Sequence, residues 1–249
     1  HCINGLAPGS YPGKSTGKLL VGGKNASDLG LFGLSKIVGT VLQDSDSQFI
    51  GLTVAEDIAF ALENDCVPTE ELHREVARIA ELVDVKAVLG HAPHEISGGQ
   101  KQRVGLGGVM VGDVDVLLFD EPLANLDPAT GKQAIALIDD IQKRTGCAVI
   151  IIEHRLEDVL YRAVDRVVVM GEGRIFFDGD PDTLLSADLL EHSGIREPLY
   201  VTALKYAGVT VAPAMRPALL STLTLSEEQK AQVRAWFAAR PVARDNAQG

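Results

Sequence analysis

Residues 96–103 read Ile96-Ser97-Gly98-Gly99-Gln100-Lys101-Gln102-Arg103. Ser97 stands three residues ahead of Gln100, the spacing of a reciprocal helix cap. The glycines Gly98 and Gly99 beside that cap leave the first backbone N–H groups open at the positive end of a helix, where an anion can settle. A glycine-rich loop before an ordinary helix is the plainer alternative for this run taken alone. A second run, Val116-Leu117-Leu118-Phe119-Asp120-Glu121-Pro122, sets two carboxylates at the C-terminal tip of an apolar strand, the edge at which open α/β sheets collect ligands. A carboxylate there can hold hydrated Mg²⁺, and its neighbour can orient or deprotonate a water. A simple strand-ending turn would also fit, but an acidic pair beside a buried strand is costly without a task. His154 follows the strand Ala148–Glu153, so the same edge logic lets it converge with Asp120, although a lone histidine is more often structural. Gln43 ends the run Ile37–Leu42, where its amide could sense a metal or a phosphate.

The elements that must position these residues alternate β-rich runs with helical periods, as in an α/β domain. Lys18–Val21 and Ile37–Leu42 read as strands. Thr53 and Glu56 form a capping box opening a helix to about Leu62. Thr69–Val83 is a second helix with Leu72, Val76, Ile79, Ala80 and Val83 on one face. Val114–Phe119 reads as a strand buried on both faces. Asp127-Pro128 caps a helix with Ala134, Leu137, Ile138 and Ile141 inward, ending near Gly146. Ala148–Ile152 reads as another fully buried strand. Arg166–Met170 and Arg174–Asp178 flank Gly171-Glu172-Gly173 as a hairpin, and Asp180-Pro181 caps one more helix. Ser186–Ser221 has three prolines and little period, so it reads as a linker or loose extension. Ser226–Gln229 could cap a last helix bearing Val233, Trp236 and Phe237.

Composition narrows the function class. The chain of 249 residues has a formal charge of −11 and is 46% hydrophobic, enough for a substantial core and against a disordered chain. A pI near 5.0 argues against a surface that grips nucleic acid broadly. Cys2, Cys66 and Cys147 are too few and too scattered for a disulfide framework or a zinc cluster. No apolar run is long enough to cross a bilayer.

Taken in order, these motifs resemble the nucleotide-binding domain of ATP-binding-cassette (ABC) proteins, an α/β, P-loop NTPase-like fold with a helical subdomain. The resemblance runs from residue 1 to about Leu190. It makes Gln43 the Q-loop, Ser97–Gln100 the signature motif and Leu117–Asp120 the end of Walker B. Glu121 becomes the catalytic base, Asn125-Leu126-Asp127 the D-loop and His154 the H-loop. Within that superfamily, Ile3-Asn4-Gly5-Leu6, Gln43–Phe49, Asp120–Asp127 and Glu153-His154-Arg155-Leu156-Glu157 are similar to energy-coupling-factor (ECF) importers of vitamins and metal ions. Some of these fuse two ATPase domains in one chain. The domain reading is therefore an ABC domain over 1–190, with a helical subdomain about 53–111, and an extension or linker over 191–249.

A P-loop is the part that this pattern lacks. Gly13-Lys14-Ser15-Thr16 has the right ending, but its leading glycine should stand at residue 8, which is Pro8, with a fixed φ and no N–H to donate. Nor is there room ahead of it for a buried strand. In the resembled family Ile-Asn-Gly-Leu follows the P-loop directly, which implies that the phosphate-binding lysine, the Mg²⁺-binding hydroxyl and the early strands lie upstream of His1. Residues 1–249 alone are then expected to be inactive.

The resemblance implies an energy subunit that binds and hydrolyses ATP with Mg²⁺ at the cytoplasmic face of a membrane. Its partners would be a second ATPase domain, fused or separate, and transmembrane coupling and substrate-binding subunits, with no nucleic acid. Nucleotide would be met by Gln43, Ser97, Gly98, Gly99, Gln100 and Asp127, the metal by Asp120 and Gln43, and Glu121 and His154 would be catalytic. The alternatives are a DNA-repair or chromosome-organising ATPase and a non-hydrolysing regulatory cassette. Only about fifty residues, without sustained heptads, separate Gln43 from Ser97, which disfavours the first. Asp120, Glu121 and His154 are all present, which disfavours the second.

Overall fold

Three β-rich runs assemble into one parallel sheet in the computed structural model, which describes residues 1–42, 49–124, 126–190 and 193–239. Gln43 lies outside the described residues, as does Asn125. The chain divides into two compact units, 1–153 and 154–249.

The first unit opens with a short helix α1 (Leu6–Gly9), a small antiparallel pair β1 (Leu20–Val21) and β2 (Lys24–Asn25), and helix α2 (Ala26–Ser35). Strand β3 (Val38–Val41) follows, then helices α3 (Val54–Asn64), α4 (Thr69–Leu82) and α5 (Gly98–Met110). Strand β4 (Val116–Asp120), helix α6 (Pro128–Thr145) and strand β5 (Ala148–Ile152) complete the unit. The sheet order is β3-β4-β5, all parallel, with Val41 opposite Phe119 and Asp120 opposite Ile152. Such parallel pairs need a covering crossover, and α6 is the one between β4 and β5.

The predicted capping box at Thr53 forms: its hydroxyl accepts the Glu56 N–H while the Glu56 carboxylate accepts the Thr53 N–H. Helices α3, α4 and α5 pack together between Thr53 and Val111 through fully buried Val54, Ile58, Ile79 and Val104. Gly107 permits that packing, since a Cβ there would stand 3.2 Å from the Ile79 side chain. Helix α6 stops at Gly146, whose φ of 72° is the left-handed cap that glycine takes without strain.

β4 is buried on both faces as expected, with Leu117, Leu118 and Phe119 no more than 2% exposed. β5 is not. Its residues alternate between exposed and half-buried, and Ile150 and Ile152 are 37% and 47% exposed. On the face that holds Val38 and Leu118, α2 covers β3 and β4 through Leu34 and Ala26, but Ala148, Ile150 and Ile152 on the same face stay open.

The second unit begins with a short helix α7 (Leu156–Val159) and the hairpin β6 (Val167–Gly171) and β7 (Arg174–Gly179). Glu172 and Gly173 form its two-residue loop, both with positive φ, as a type I′ turn requires. Helices α8 (Pro181–Ser186), α9 (Leu199–Tyr206) and α10 (Glu227–Ala238) follow. The region read as a loose extension shares a core with what precedes it. Val201, Leu204, Val209, Val211 and Met215 are buried with Leu160, Val169, Leu184, Leu185 and Leu190. The compact unit therefore starts at His154 rather than at residue 191. Burial of those side chains at about 25 cal/mol per Å² holds a segment that no periodic pattern announces.

Candidate functional site

Helix α5 begins as its sequence demands. Ser97 is extended, its Oγ accepts the Gln100 N–H at 3.3 Å, and the Gln100 side-chain oxygen accepts the Ser97 N–H at 2.9 Å. The glycines that follow are not needed for packing. A Cβ at Gly98 would meet nothing within 4 Å, and one at Gly99 only Thr130 at 3.8 Å. Bare backbone at a helix N-terminus thus faces open space, which suits an anion.

The second part of the site is the turn after β4. Asp120 is the last residue of the strand, and Glu121 has φ 47°, a conformation unusual for a residue other than glycine. The turn is pinned at several points. Glu121 N–H donates to the Ile152 carbonyl at 2.9 Å, and Ala124 N–H to the Glu121 carbonyl at 3.2 Å. The Gln102 amide donates to the Pro122 carbonyl at 2.7 Å, and Leu123 N–H donates to the Glu153 carboxylate at 3.0 Å. Asp120 and Glu121 are half-buried, so each keeps a route to solvent and to a ligand.

Asp127 caps α6. Its carboxylate accepts the N–H groups of Ala129 (2.9 Å) and Thr130 (3.1 Å), and the Thr130 hydroxyl at 2.5 Å. The hydroxyl and the N–H of Thr130, followed by the Ala129 N–H, hold this carboxyl below the usual aspartate range. A cleft of about 600 Å³ lies between α5 and α6, and Ser97, Gly98, Gly99, Gln100 and Asp127 all line it. Its floor includes Phe119 of β4 and Ile138 of α6. Thus five of the nine site residues named from the sequence share one cleft, while Asp120 and Glu121 sit together at the sheet edge.

His154 is exposed and is the first residue of the second unit, directly after Glu153. Gly13-Lys14-Ser15-Thr16 forms an exposed segment without helix or strand, so no helix N-terminus stands behind Lys14 as a phosphate cradle requires. Arg103 braces its helix, with its guanidinium 2.6 Å from the Asp84 carboxylate.

Two residues that hold the turn from outside it were not singled out by the motifs: Gln102 of α5 and Glu153 after β5. Both lie inside quoted motifs, but each meets a backbone group twenty or thirty positions away, for which local spacing carries no signal.

Among the described residues no group of three His, Cys, Asp or Glu side chains could hold a metal. The oxygen donors at Asp120 and Glu121 nonetheless fit Mg²⁺, which takes one or two carboxylates and completes its shell with water and substrate phosphates.

The model of the ABC transporter family matches residues 3–124. A second family model, described as ATP-binding cassette cobalt transporter, matches residues 187–249. This chain carries an ABC transporter ATP-binding domain. The ABC match takes in the α5 cap and the Asp120–Pro122 turn, and the second match falls on the segment containing α9 and α10. Proteins named as ABC transporter ATP-binding proteins from Photobacterium profundum and Clostridium perfringens are each 53% identical to it over 237 residues, 95% of this chain. One from Enterococcus faecalis is 58% identical over 209 residues, 84% of this chain. The chain spans 37–42% of the length of these relatives. Among solved structures, cbiO1 from Clostridium perfringens, described as part of the ABC transporter complex cbiONQ, superposes with a TM-score of 0.69 at 28% identity. That match covers 82% of this chain and 80% of cbiO1, and with it the fold is the mixed helix–strand fold of the P-loop ABC ATPases.

Proposed function

We propose that this ABC domain belongs to the ATP-hydrolysing energy subunit of an ECF-type importer, with a vitamin, a vitamin precursor or a metal ion as cargo. The observation that carries the hydrolytic reading is the pinned turn placing Asp120 and Glu121 at the C-terminal edge of β4. The likeness of residues 187–249 to a cobalt-transporter family and of the fold to cbiO1 supports the importer reading, and a metal ion within that cargo class.

In this reading the N–H groups of Gly98 and Gly99 and the Ser97 hydroxyl bind the terminal phosphate of an ATP held by a second cassette, fused or separate. Asp120 holds the hydrated Mg²⁺, with Gln43 beside it. The ion, when bound, neutralises phosphate charge. Glu121 orients the attacking water and accepts its proton. His154 hydrogen-bonds the same phosphate, and Asp127 lies where two cassettes meet. Among the described residues no helix is long and apolar enough to cross a membrane. By its likeness to ECF importers, the reading gives the subunit transmembrane coupling and substrate-binding partners and places it peripherally, on the cytoplasmic face.

The decisive variant is Glu121→Gln in the intact protein. ATP turnover should fall to background while ATP binding by calorimetry is kept, because only the proton acceptor is removed. Turnover at the wild-type rate would take Glu121 out of the base role.

A further inference from the structure

We infer that Gln102 is a positioning residue for hydrolysis, tying the helix that offers Ser97–Gly99 to the turn that aims Glu121. The inference rests on the reading of Glu121 as the catalytic carboxylate, and it goes beyond that reading by assigning what holds this side chain in place.

Glu121 follows the strand in a left-handed conformation, so its side chain points where the turn directs it. A small rotation about the turn would carry the carboxylate off its water. Of the contacts that fix the turn, two come from β5 and the residue after it: the Ile152 carbonyl and the Glu153 carboxylate. Another comes from a different layer. Gln102 is half-buried in α5, and its amide nitrogen donates to the carbonyl of Pro122, the residue immediately after Glu121, at 2.7 Å.

Proline has no N–H, so at Pro122 this carbonyl is the one backbone group through which the turn can be held. Five residues before Gln102, about one and a half helical turns, stands Ser97, the cap of the same helix. A rigid helix therefore joins the anion-binding end of α5 to the backbone beside the carboxylate. The two ends serve different ATP molecules if cassettes pair head to tail, so this bond links one nucleotide site to the other within a single chain.

The bond requires a donor. An amide supplies one and an ionised carboxylate does not. The test is steady-state ATPase of the intact protein carrying Gln102→Leu, Gln102→Glu or Glu121→Gln, with melting temperatures recorded alongside. Displacing a catalytic group by about 1 Å can cost up to ~100-fold, so Gln102→Leu should lower kcat roughly tenfold, with KM for ATP within about twofold of wild type, since nucleotide binding is untouched. Gln102→Glu should show the same loss at pH 8.

A kcat within about twofold of wild type for either variant at pH 8 overturns the inference, as does KM rising in step with the loss. If Gln102→Leu fails to fold, Gln102→Glu, which keeps the size but lacks the donor, decides alone: a loss of kcat with KM unchanged supports the inference, and a kcat within about twofold of wild type overturns it. Glu121→Gln separates the two claims. When it is inactive and the Gln102 variants are not impaired, only the assignment of Gln102 fails. When it turns over at the wild-type rate, the reading of Glu121 falls and the role of Gln102 falls with it.

Discussion

The Glu153 carboxylate accepts the backbone N–H of Leu123 at 3.0 Å, joining the residue after β5 to the turn after β4. Leu123 is fully buried, so its N–H relies on an acceptor from the protein. An orphaned buried N–H costs about 1–3 kcal/mol. Glu153→Ala should therefore destabilise the protein by about that amount in denaturant titration, whereas Glu153→Gln, which keeps a side-chain oxygen, should cost less than half as much. Equal losses in the two variants would show that the acceptor is not what matters at this position.

Ser97 has two roles that one pair of variants can separate. As the α5 cap it bonds the Gln100 N–H, and replacing such a cap by alanine costs about 1 kcal/mol. Aspartate caps as well as serine, but it puts a negative charge where the proposed function places a phosphate. Ser97→Asp should thus match the stability of wild type within about 0.5 kcal/mol while losing ATP turnover in the intact protein. Retained turnover in that variant would mean that the α5 N-terminus does not meet an anion.

The parts of this fold that were legible are those with a local cause. Thr53, Ser97, Asp127, Asp180 and Ser226 each announced a helix start through cap chemistry, and each side chain accepts the bond expected of it. The Asp120-Glu121 pair was legible for a similar reason, since the apolar run Val116–Phe119 ends where the two carboxylates stand. β5 was misread because its five-residue apolar run does not say how far α2 reaches across the sheet. The core of residues 199–239 was missed because Val209 and Val211 come from irregular backbone and Met215 from a three-residue 3-10 turn, too short to show a period. Gln102 and Glu153 act on distant backbone, which only the folded chain brings within reach.

Asp127 and Asp180 repeat one device, Asp-Pro-x-Thr, in which the threonine returns both its hydroxyl and its N–H to the capping carboxylate. Both carboxyls are held below the usual aspartate range, chiefly by that hydroxyl. A depressed folded-state pKa gives stability that is present above the ordinary value of about 3.8 and is lost as pH falls through the folded value. Asp127→Asn keeps an acceptor but cannot titrate. It should be less stable than wild type at neutral pH and should show a shallower loss on acidification below pH ~4. Parallel acid-melting curves for the two proteins would contradict the assignment.

Tyr200 makes the opposite prediction at alkaline pH. Its hydroxyl donates to the Pro217 carbonyl at 2.6 Å, with the Ala218 carbonyl at 3.2 Å, so it fastens α9 to the irregular segment before α10. Burial, then the nearby charges of Glu157 and Asp182, push its pKa up to about 12. The unfolded chain loses this proton near the ordinary value of 10.0. Between those two values the unfolded state binds fewer protons than the folded state, so stability falls as pH rises. It is fully present below pH 10 and is lost as pH climbs toward and through the folded value. Tyr200→Phe deletes both the bond and the titration. At neutral pH it should cost about 1 kcal/mol, and above pH 10 its melting temperature should decline less steeply than that of wild type. A variant that melts like wild type at neutral pH would show that residues 217–218 are held without this hydroxyl. A decline as steep as that of wild type above pH 10 would trace the alkaline loss to other groups.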